Sequence, residues 1–133
     1  MSGLQHLDAI LASLDPVLDA TCWTWCRLDA ADLHAASARA FALIREEEGW
    51  CAVVPHDHAP RLGHPADGRW ARLTLQVHSS LHAVGLTAVF ARALAQKEIP
   101  ANVVAGLHHD HILVPWARRN DALTALRELA AGS

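Results

Sequence analysis

The feature that most constrains the fold is the segment 72–115, in which strand-like and helix-like patterns follow one another without a break. It reads RLTLQVHSSLHAVGLTAVFARALAQKEIPANVVAGLHHDHILVP. At its start, three apolar residues alternate with polar ones: Leu73, Leu75 and Val77. This period-two pattern is typical of a half-buried strand. Further on, three apolar residues recur every four positions: Leu86, Phe90 and Leu94. That spacing predicts a helix with one apolar face.

The rest of this segment and the C-terminus predict two more strands and a second helix. Pro100 ends the first helix, because proline lacks the backbone N–H that a helix interior requires. Asn102–Leu107 and His111–Val114 are apolar enough for strands, with a turn at 108–110 between them. Apolar residues between 122 and 129 predict the final helix. The order strand, helix, strand, strand, helix is that of a ferredoxin-like α+β fold.

The first part of the chain has weaker patterns. Apolar residues near the N-terminus share one face of a short amphipathic helix: Leu4, Leu7, Ile10, Leu11 and Leu14. Thr21–Leu28 is rich in residues that favour strands. Phe41–Ile44 and Cys51–Val54 predict a hairpin with an acidic tip, where Gly49 supplies an unusual backbone angle.

The connections in this first part suggest a division of the chain. The alanine-rich segment 30–40 fits either a helix or an irregular connection. The segment 56–63 predicts a short helix capped by Asp57, and HPADG at 64–68 has the composition of a linker. We therefore expect a degenerate N-terminal lobe over residues 1–66 and a better-formed C-terminal domain over residues 67–133.

Composition excludes several classes of protein. A hydrophobic fraction of 52% and a charged fraction of 19% argue against disorder. With a net charge of −3, the chain lacks the excess of positive charge that is typical of nucleic-acid-binding proteins. No apolar stretch is long enough to span a membrane. The N-terminus lacks the charge pattern of a signal peptide. An odd number of cysteines, three, favours a reducing cytoplasm.

Three motifs carry a resemblance to a known family. VHSSLHAVGLTA, IPANVVAGLHHDHILVP and the upstream REEEGW resemble a small bacterial family of ACT-domain proteins, over about Thr21 to Leu129. The resemblance implies a ferredoxin-like ACT domain preceded by a degenerate ACT-like lobe. ACT domains usually have four strands, whereas the C-terminal part supplies three, and an open sheet edge is a liability. We expect an N-terminal strand, Thr21–Leu28, to complete the sheet and to join both lobes in one core.

The best candidate site is the turn after the first strand of the C-terminal domain. A helix N-terminus offers free backbone N–H groups to a carboxylate, and the serine hydroxyls and the Asn102 amide add polar contacts. We expect the helix start and the beginning of the next strand to approach one another. In ACT domains, matching positions line the ligand pocket. The predicted ligand-binding residues are Ser79, Ser80, Ala83, Val84, Gly85, Leu86, Asn102 and Val103. In the alternative, the serines only cap the helix and Asn102 only pins the strand.

Other reactive residues have simpler interpretations. His109 and His111 lie at strand spacing and would suit a divalent metal, but His108–His111 is better explained as a hairpin turn, with ligand contact a further alternative. Cys22 and Cys26 lack the spacing of a zinc or redox motif and are expected in the core. The acidic run 46–48 is expected to be a solvated tip.

The sequence therefore predicts a non-catalytic regulatory module that binds an amino acid or similar small metabolite at an ACT-type interface. It predicts a homo-oligomer acting through a protein partner, with no catalytic residue, no cofactor, no resident metal, and no nucleic acid or membrane partner. The alternatives are a protein-interaction or structural module with a vestigial ligand site, and a histidine-based metal-binding protein.

Overall fold

The computed structural model of the 133-residue chain describes residues 3–64, 66–77 and 84–132, with side chains described from residue 7 onward. In chain order the helices and strands are α1 (Gly3–Ala12), β1 (Pro16–Leu18), β2 (Trp23–Leu28), α2 (Leu33–Ser37), β3 (Ala42–Glu46), β4 (Gly49–Pro55), β5 (Asp67–Leu75), α3 (Leu86–Gln96), β6 (Asn102–Ala105), β7 (Asp110–Pro115) and α4 (Arg119–Ala130). Short 3₁₀ turns lie at Ala30–Asp32, Ala59–Leu62 and Trp116–Arg118. Among the described residues, no helix combines the length and apolarity needed to cross a bilayer.

The chain forms two compact units. Residues 21–70 form what we call the central unit, and residues 1–20 with residues 71–133 form the terminal unit. This division differs from the expected boundary near residue 66, because the first twenty residues pack with the C-terminal part of the chain. At the ends of the predicted linker, β5 begins at Asp67 and His64 is only 8% exposed.

The terminal unit has the predicted ferredoxin-like topology. Its strands lie in the order β1, β5, β7, β6. The three-residue β1 pairs antiparallel with the end of β5, from Pro16 opposite Leu75 to Leu18 opposite Leu73. Thus an N-terminal strand, Pro16–Leu18, pairs with the end of β5. The strand that we expected there, in Thr21–Leu28, also pairs antiparallel with β5, but with its first residues, from Trp23 opposite Trp70 to Trp25 opposite Asp67. The expected single core is not formed, because the buried apolar side chains of the described residues make two clusters.

The core of the terminal unit lies between one sheet face and the helices. Its helical contribution is the predicted stripe Leu86, Phe90 and Leu94 of α3, together with Ala122, Ala125 and Leu126 of α4. The sheet contributes Ala71, Leu73 and Leu75 of β5 with Ile112 and Val114 of β7. The amphipathic N-terminal helix is confirmed, and it packs Leu7, Ile10 and Leu11 against this core.

The central unit repeats the same order with reduced helices. Its strands lie in the order β3, β4, β2, followed by residues 67–70 of β5. The predicted hairpin of β3 and β4 is present, and Gly49 after its acidic turn has a φ of 129°. In the chain order of the central unit, the short α2 takes the place that α3 has in the terminal unit. A single 3₁₀ turn at Ala59–Leu62 takes the place of α4. This reduction is what the sequence predicted as a degenerate ACT-like lobe.

Candidate functional site

The predicted ligand site begins at the N-terminal end of α3. Gly85 precedes the first helical residue with a φ of 96°, a left-handed angle that favours glycine. Val84 beside it is 91% exposed, whereas Leu86 is buried in the apolar core. Gly85 therefore holds the capping position, which the alternative interpretation gave to the two serines. Three predicted site residues lie outside the described residues: Ser79, Ser80 and Ala83.

The first turn of α3 leaves backbone donors without partners inside the helix. Helical bonding starts with the Val89 N–H, which donates to the Gly85 carbonyl at 3.1 Å. The N–H groups of residues 86–88 precede it and have no intrahelical acceptor. Since α3 is 11 residues long, its dipole adds positive potential at this end. This helix end is suited to an anionic group such as a carboxylate.

Asn102 and Val103 begin β6, which is the edge strand of the terminal unit. The Asn102 side chain is exposed, and Val103 packs against the core. Asn102 follows the C-terminal end of α3, which is about 16 Å from its N-terminal end at 1.5 Å per residue. The two halves of the predicted site therefore lie at opposite ends of α3. The expectation that they approach one another is wrong within one copy of this unit.

The sheet face opposite α3 and α4 carries a polar network. Arg72 Nη2 lies 3.0 Å from Asp19 Oδ2, and both side chains are about three-quarters buried. Thr74 Oγ1 lies 2.9 Å from His111 Nδ1 on the neighbouring strand. Burial, followed by the charges of Arg72 and His109, lowers the pKa of His111. This face thus favours a neutral imidazole at His111.

The histidine run at 108–111 forms the hairpin that the sequence predicted. β6 and β7 pair from Asn102 opposite Leu113 to Ala105 opposite Asp110. The Gly106 N–H donates to the His109 carbonyl at 2.9 Å, and a Cβ at Gly106 would come within 2.9 Å of the same oxygen. Burial raises the pKa of Asp110. Within the described part of the chain, this run is not among the groups with metal-ligand geometry.

A depression of about 790 Å³ lies on the central unit. Arg27 pairs with Cys51, and Ile44 also pairs with Cys51 from the other side, so these residues share one sheet face. Trp25 and Asp67, themselves a cross-strand pair, line the same depression with Glu46. The sequence gave no signal of this depression, because its lining residues come from separate strands.

The cysteines of the central unit are free thiols. Cys26 is 4% exposed, as expected of a core residue, whereas Cys22 is only half-buried. The Cys51 thiol donates to Glu46 Oε1 at 3.2 Å. Burial, with this hydrogen bond and the nearby carboxylate, raises the pKa of Cys51 to about 11. The thiol is therefore held protonated and is a poor nucleophile at neutral pH.

A cluster of two carboxylates and one imidazole was missed by the sequence analysis. One ligand atom from each of Asp29, Asp32 and His64 lies within 4.8 Å of the others. His64 Nε2 is 3.2 Å from Asp32 Oδ2 and 3.7 Å from Asp29 Oδ2. Asp29-x-x-Asp32 carried a capping signal, but nothing in the sequence linked it to a histidine 32 residues later.

Comparison with family models identifies the kind of domain. A model described as an ACT domain matches residues 66–128, and a second model with the same description matches residues 2–70. None of the curated proteins matches the chain. The two matched ranges together extend over nearly all of the chain.

Solved structures agree with the family models. A protein of unknown function from Vibrio cholerae, described as a possible transport protein, is 38% identical, with 97% of this chain and 99% of that chain covered and a TM-score of 0.85. A protein from Agrobacterium tumefaciens is 20% identical over 83% of this chain and 84% of its own, with a TM-score of 0.68. The regulatory subunit of aspartate kinase from Thermus flavus is 14% identical over 86% of this chain and 95% of its own, with a TM-score of 0.65. At these identities the last two establish similarity of fold alone.

Proposed function

The chain belongs to the ACT-domain family, and from this membership we propose that it is a non-catalytic regulatory module that binds an amino acid or a similar small metabolite. ACT domains in general are regulatory modules of this kind. Any output would pass through a protein partner. Its three free cysteines are compatible with a reducing cytoplasm, which we propose as its location.

The observation that carries the proposal is the start of α3. Val84 is 91% exposed, and Gly85 caps the helix with a left-handed φ. A ligand carboxylate would accept from the first-turn N–H groups in the positive field of the helix end. Ser79, Ser80 and Ala83 precede this turn in sequence and remain part of the proposed site. Leu86 would contribute its backbone N–H, because its side chain is in the core.

Asn102 would contact the ligand from a second copy of the chain. Its exposed amide both donates and accepts hydrogen bonds, which suits the ammonium or carboxylate of an amino acid. Since Asn102 lies at the far end of α3 from Gly85 within one copy, one small ligand cannot touch both of them there. β6 is the last strand in the order of the described sheet, so a neighbouring copy could approach Asn102 there. We therefore propose an interface site in a homo-oligomer.

Thermal unfolding with each of the twenty amino acids at millimolar concentration tests the proposal. A ligand present at about 100 times its Kd stabilises the folded state by about 2.7 kcal/mol. We expect at least one amino acid to raise the unfolding midpoint of the wild-type protein. Asn102→Ala should abolish that rise and leave the midpoint without ligand nearly unchanged, because the side chain is exposed.

Asn120→Ala is the matched control, because Asn120 is also exposed but lies on α4. It should keep the full ligand response. If no amino acid raises the midpoint of the wild-type protein, the proposal of an amino-acid ligand is wrong. If Asn102→Ala responds like the wild-type protein, the ligand binds elsewhere, and the depression of the central unit becomes the next place to examine.

A protein-interaction module is the second candidate function. Its support is the edge strand β3, where Leu43 and Ile44 are 38% and 36% exposed. An apolar edge strand can pair with a strand of another chain. Under this alternative, Ile44→Lys would weaken self-association measured by sedimentation, and no amino acid would affect it.

A further inference from the structure

Three potential metal ligands converge in the central unit from two turns that are distant in sequence. Asp29 follows β2, and Asp32 ends the 3₁₀ turn Ala30–Asp32. His64 follows Gly63, which closes the turn at Ala59–Leu62 with a left-handed φ of 76°. Their ligand atoms lie within 4.8 Å of one another. Two oxygen ligands and one nitrogen ligand thus lie close enough together to approach a single ion.

The backbone holds these side chains in place. Asp29 and Asp32 form a reciprocal capping box, in which each side chain faces the backbone N–H of the other. The Asp29 N–H donates to Asp32 Oδ2 at 3.4 Å. His64 is 8% exposed, so its ring has little freedom to turn away. A site with this degree of preorganisation loses less entropy when an ion binds.

The cluster has one basic partner among the side chains that the structure describes, those of residues 7–64, 66–77 and 84–132. His64 is the only basic side chain of this set within 4.0 Å of either carboxylate. The charge of Asp32 also reaches the buried Cys26 thiol, whose pKa is raised first by burial and second by Asp32. Two carboxylates held this close repel one another, and a cation between them would remove the repulsion.

We propose that Asp29, Asp32 and His64 form a binding site for a divalent cation of the zinc type. Zinc accepts imidazole nitrogen and carboxylate oxygen together, and three protein ligands leave one tetrahedral position for water or another ligand. Magnesium and calcium prefer six or more oxygen ligands, which this cluster does not supply. The bound ion would connect the end of β2 to the segment that leads into β5. The site uses no residue of the proposed amino-acid site, so failure of one proposal would not affect the other.

Calorimetric titration of the full-length protein with zinc chloride tests this site. We expect one saturable zinc ion per chain with a micromolar or lower Kd. Asp29→Asn and Asp32→Asn each remove one charge but keep an oxygen that can cap the turn. Each should weaken zinc binding at least about tenfold, since the loss of even an outer-shell partner of a metal ligand costs 10–100-fold. Asp29→Asn carries the test if Asp32→Asn fails to fold, because Asp29 is exposed.

His108→Gln is the control for loss of one of the ten histidines, because His108 is exposed in the hairpin of the terminal unit. Its zinc titration should match that of the wild-type protein. Without zinc, the unfolding midpoint of Asp29→Asn should equal or exceed the wild-type value, because repulsion is relieved. The inference is overturned if one-per-chain binding is absent or if both asparagine variants bind zinc within about twofold of wild type. A lower midpoint of Asp29→Asn without any zinc effect would also overturn it, by identifying the cluster as a structural ion pair.

Discussion

The histidines of this molecule have different environments. His111 bonds to Thr74 within a sheet face, and His64 is buried against two aspartates. His108 and His109 lie in a turn, with their rings edge to face at a centroid separation of 6.4 Å. In the sequence, the run at 108–111 suggested a possible metal site because its histidines are close together along the chain. Adjacency along a chain says little about convergence in space, and His64 had no histidine or carboxylate beside it in sequence to signal a ligand.

The environment of His111 predicts a pH dependence of stability. Burial, then the charges of Arg72 and His109, lowers the pKa of this imidazole in the folded protein. The unfolded chain therefore binds the proton more tightly, and stability that is present above about pH 6.5 is lost as the pH falls through that value. His111→Gln cannot take up this proton. We expect its free energy of unfolding, measured by denaturant titration, to fall less than that of the wild-type protein between about pH 8 and pH 5.5.

Protonation of Asp110 has the opposite effect on stability from protonation of His111. Burial raises the pKa of its carboxyl, so the folded protein binds this proton more tightly and gains stability as the carboxyl is protonated. The comparison is therefore confined to pH values above about 5, where most carboxyls remain ionised. His108→Gln controls for loss of an imidazole from the same hairpin. Equal pH slopes for wild type and His111→Gln would refute the prediction.

At the level of elements, the N-terminal segment completes the terminal unit. β1 has only three residues, which is too short for a period-two pattern to be recognised. Its position is fixed instead by Leu14, which is fully buried, and by the Gln76 N–H, which donates to the Leu14 carbonyl at 3.0 Å. The sequence placed Leu14 on the apolar face of the first helix. Only the fold reveals that this face packs against residues more than sixty positions away.

Leu14→Ala tests that assignment. The substitution leaves a cavity in the terminal unit and should lower the free energy of unfolding by about 2–5 kcal/mol. Hydrogen exchange should show loss of protection in α3, α4 and residues 71–75 of β5, which share a core with Leu14. Val17→Ala is the control, because Val17 is 45% exposed on the same short segment and should change stability by less than about 0.5 kcal/mol. Loss of protection confined to residues 21–70 would contradict the assignment.

For the whole molecule, the sequence predicted the fold far better than the site. The α3 stripe, the β6–β7 hairpin and the acidic hairpin of the central unit all follow from local periodicity, which a single chain displays directly. The separation of Gly85 from Asn102 does not, because it depends on the length and direction of α3 in space. The same holds for the depression near Trp25 and for the approach of His64 to Asp32. Each of these needs tertiary positions that no local pattern encodes.

The separation of Gly85 from Asn102 makes oligomerisation part of the proposed function. A ligand bound between two copies must favour association, because binding and assembly are thermodynamically linked. In the proposed oligomer, the edge strand β6 would provide the surface at which a second copy brings its Asn102 to the helix end of the first. An amino acid held entirely within one copy would have no such effect.

Sedimentation equilibrium with and without an equimolar mixture of the twenty amino acids tests this central claim most directly. We expect the mixture to increase the association constant of the wild-type protein, and we expect Asn102→Ala to lose that increase while Asn120→Ala retains it. Both residues are exposed, so neither substitution should alter folding. An association constant that the mixture leaves unchanged would contradict a ligand site shared between two copies.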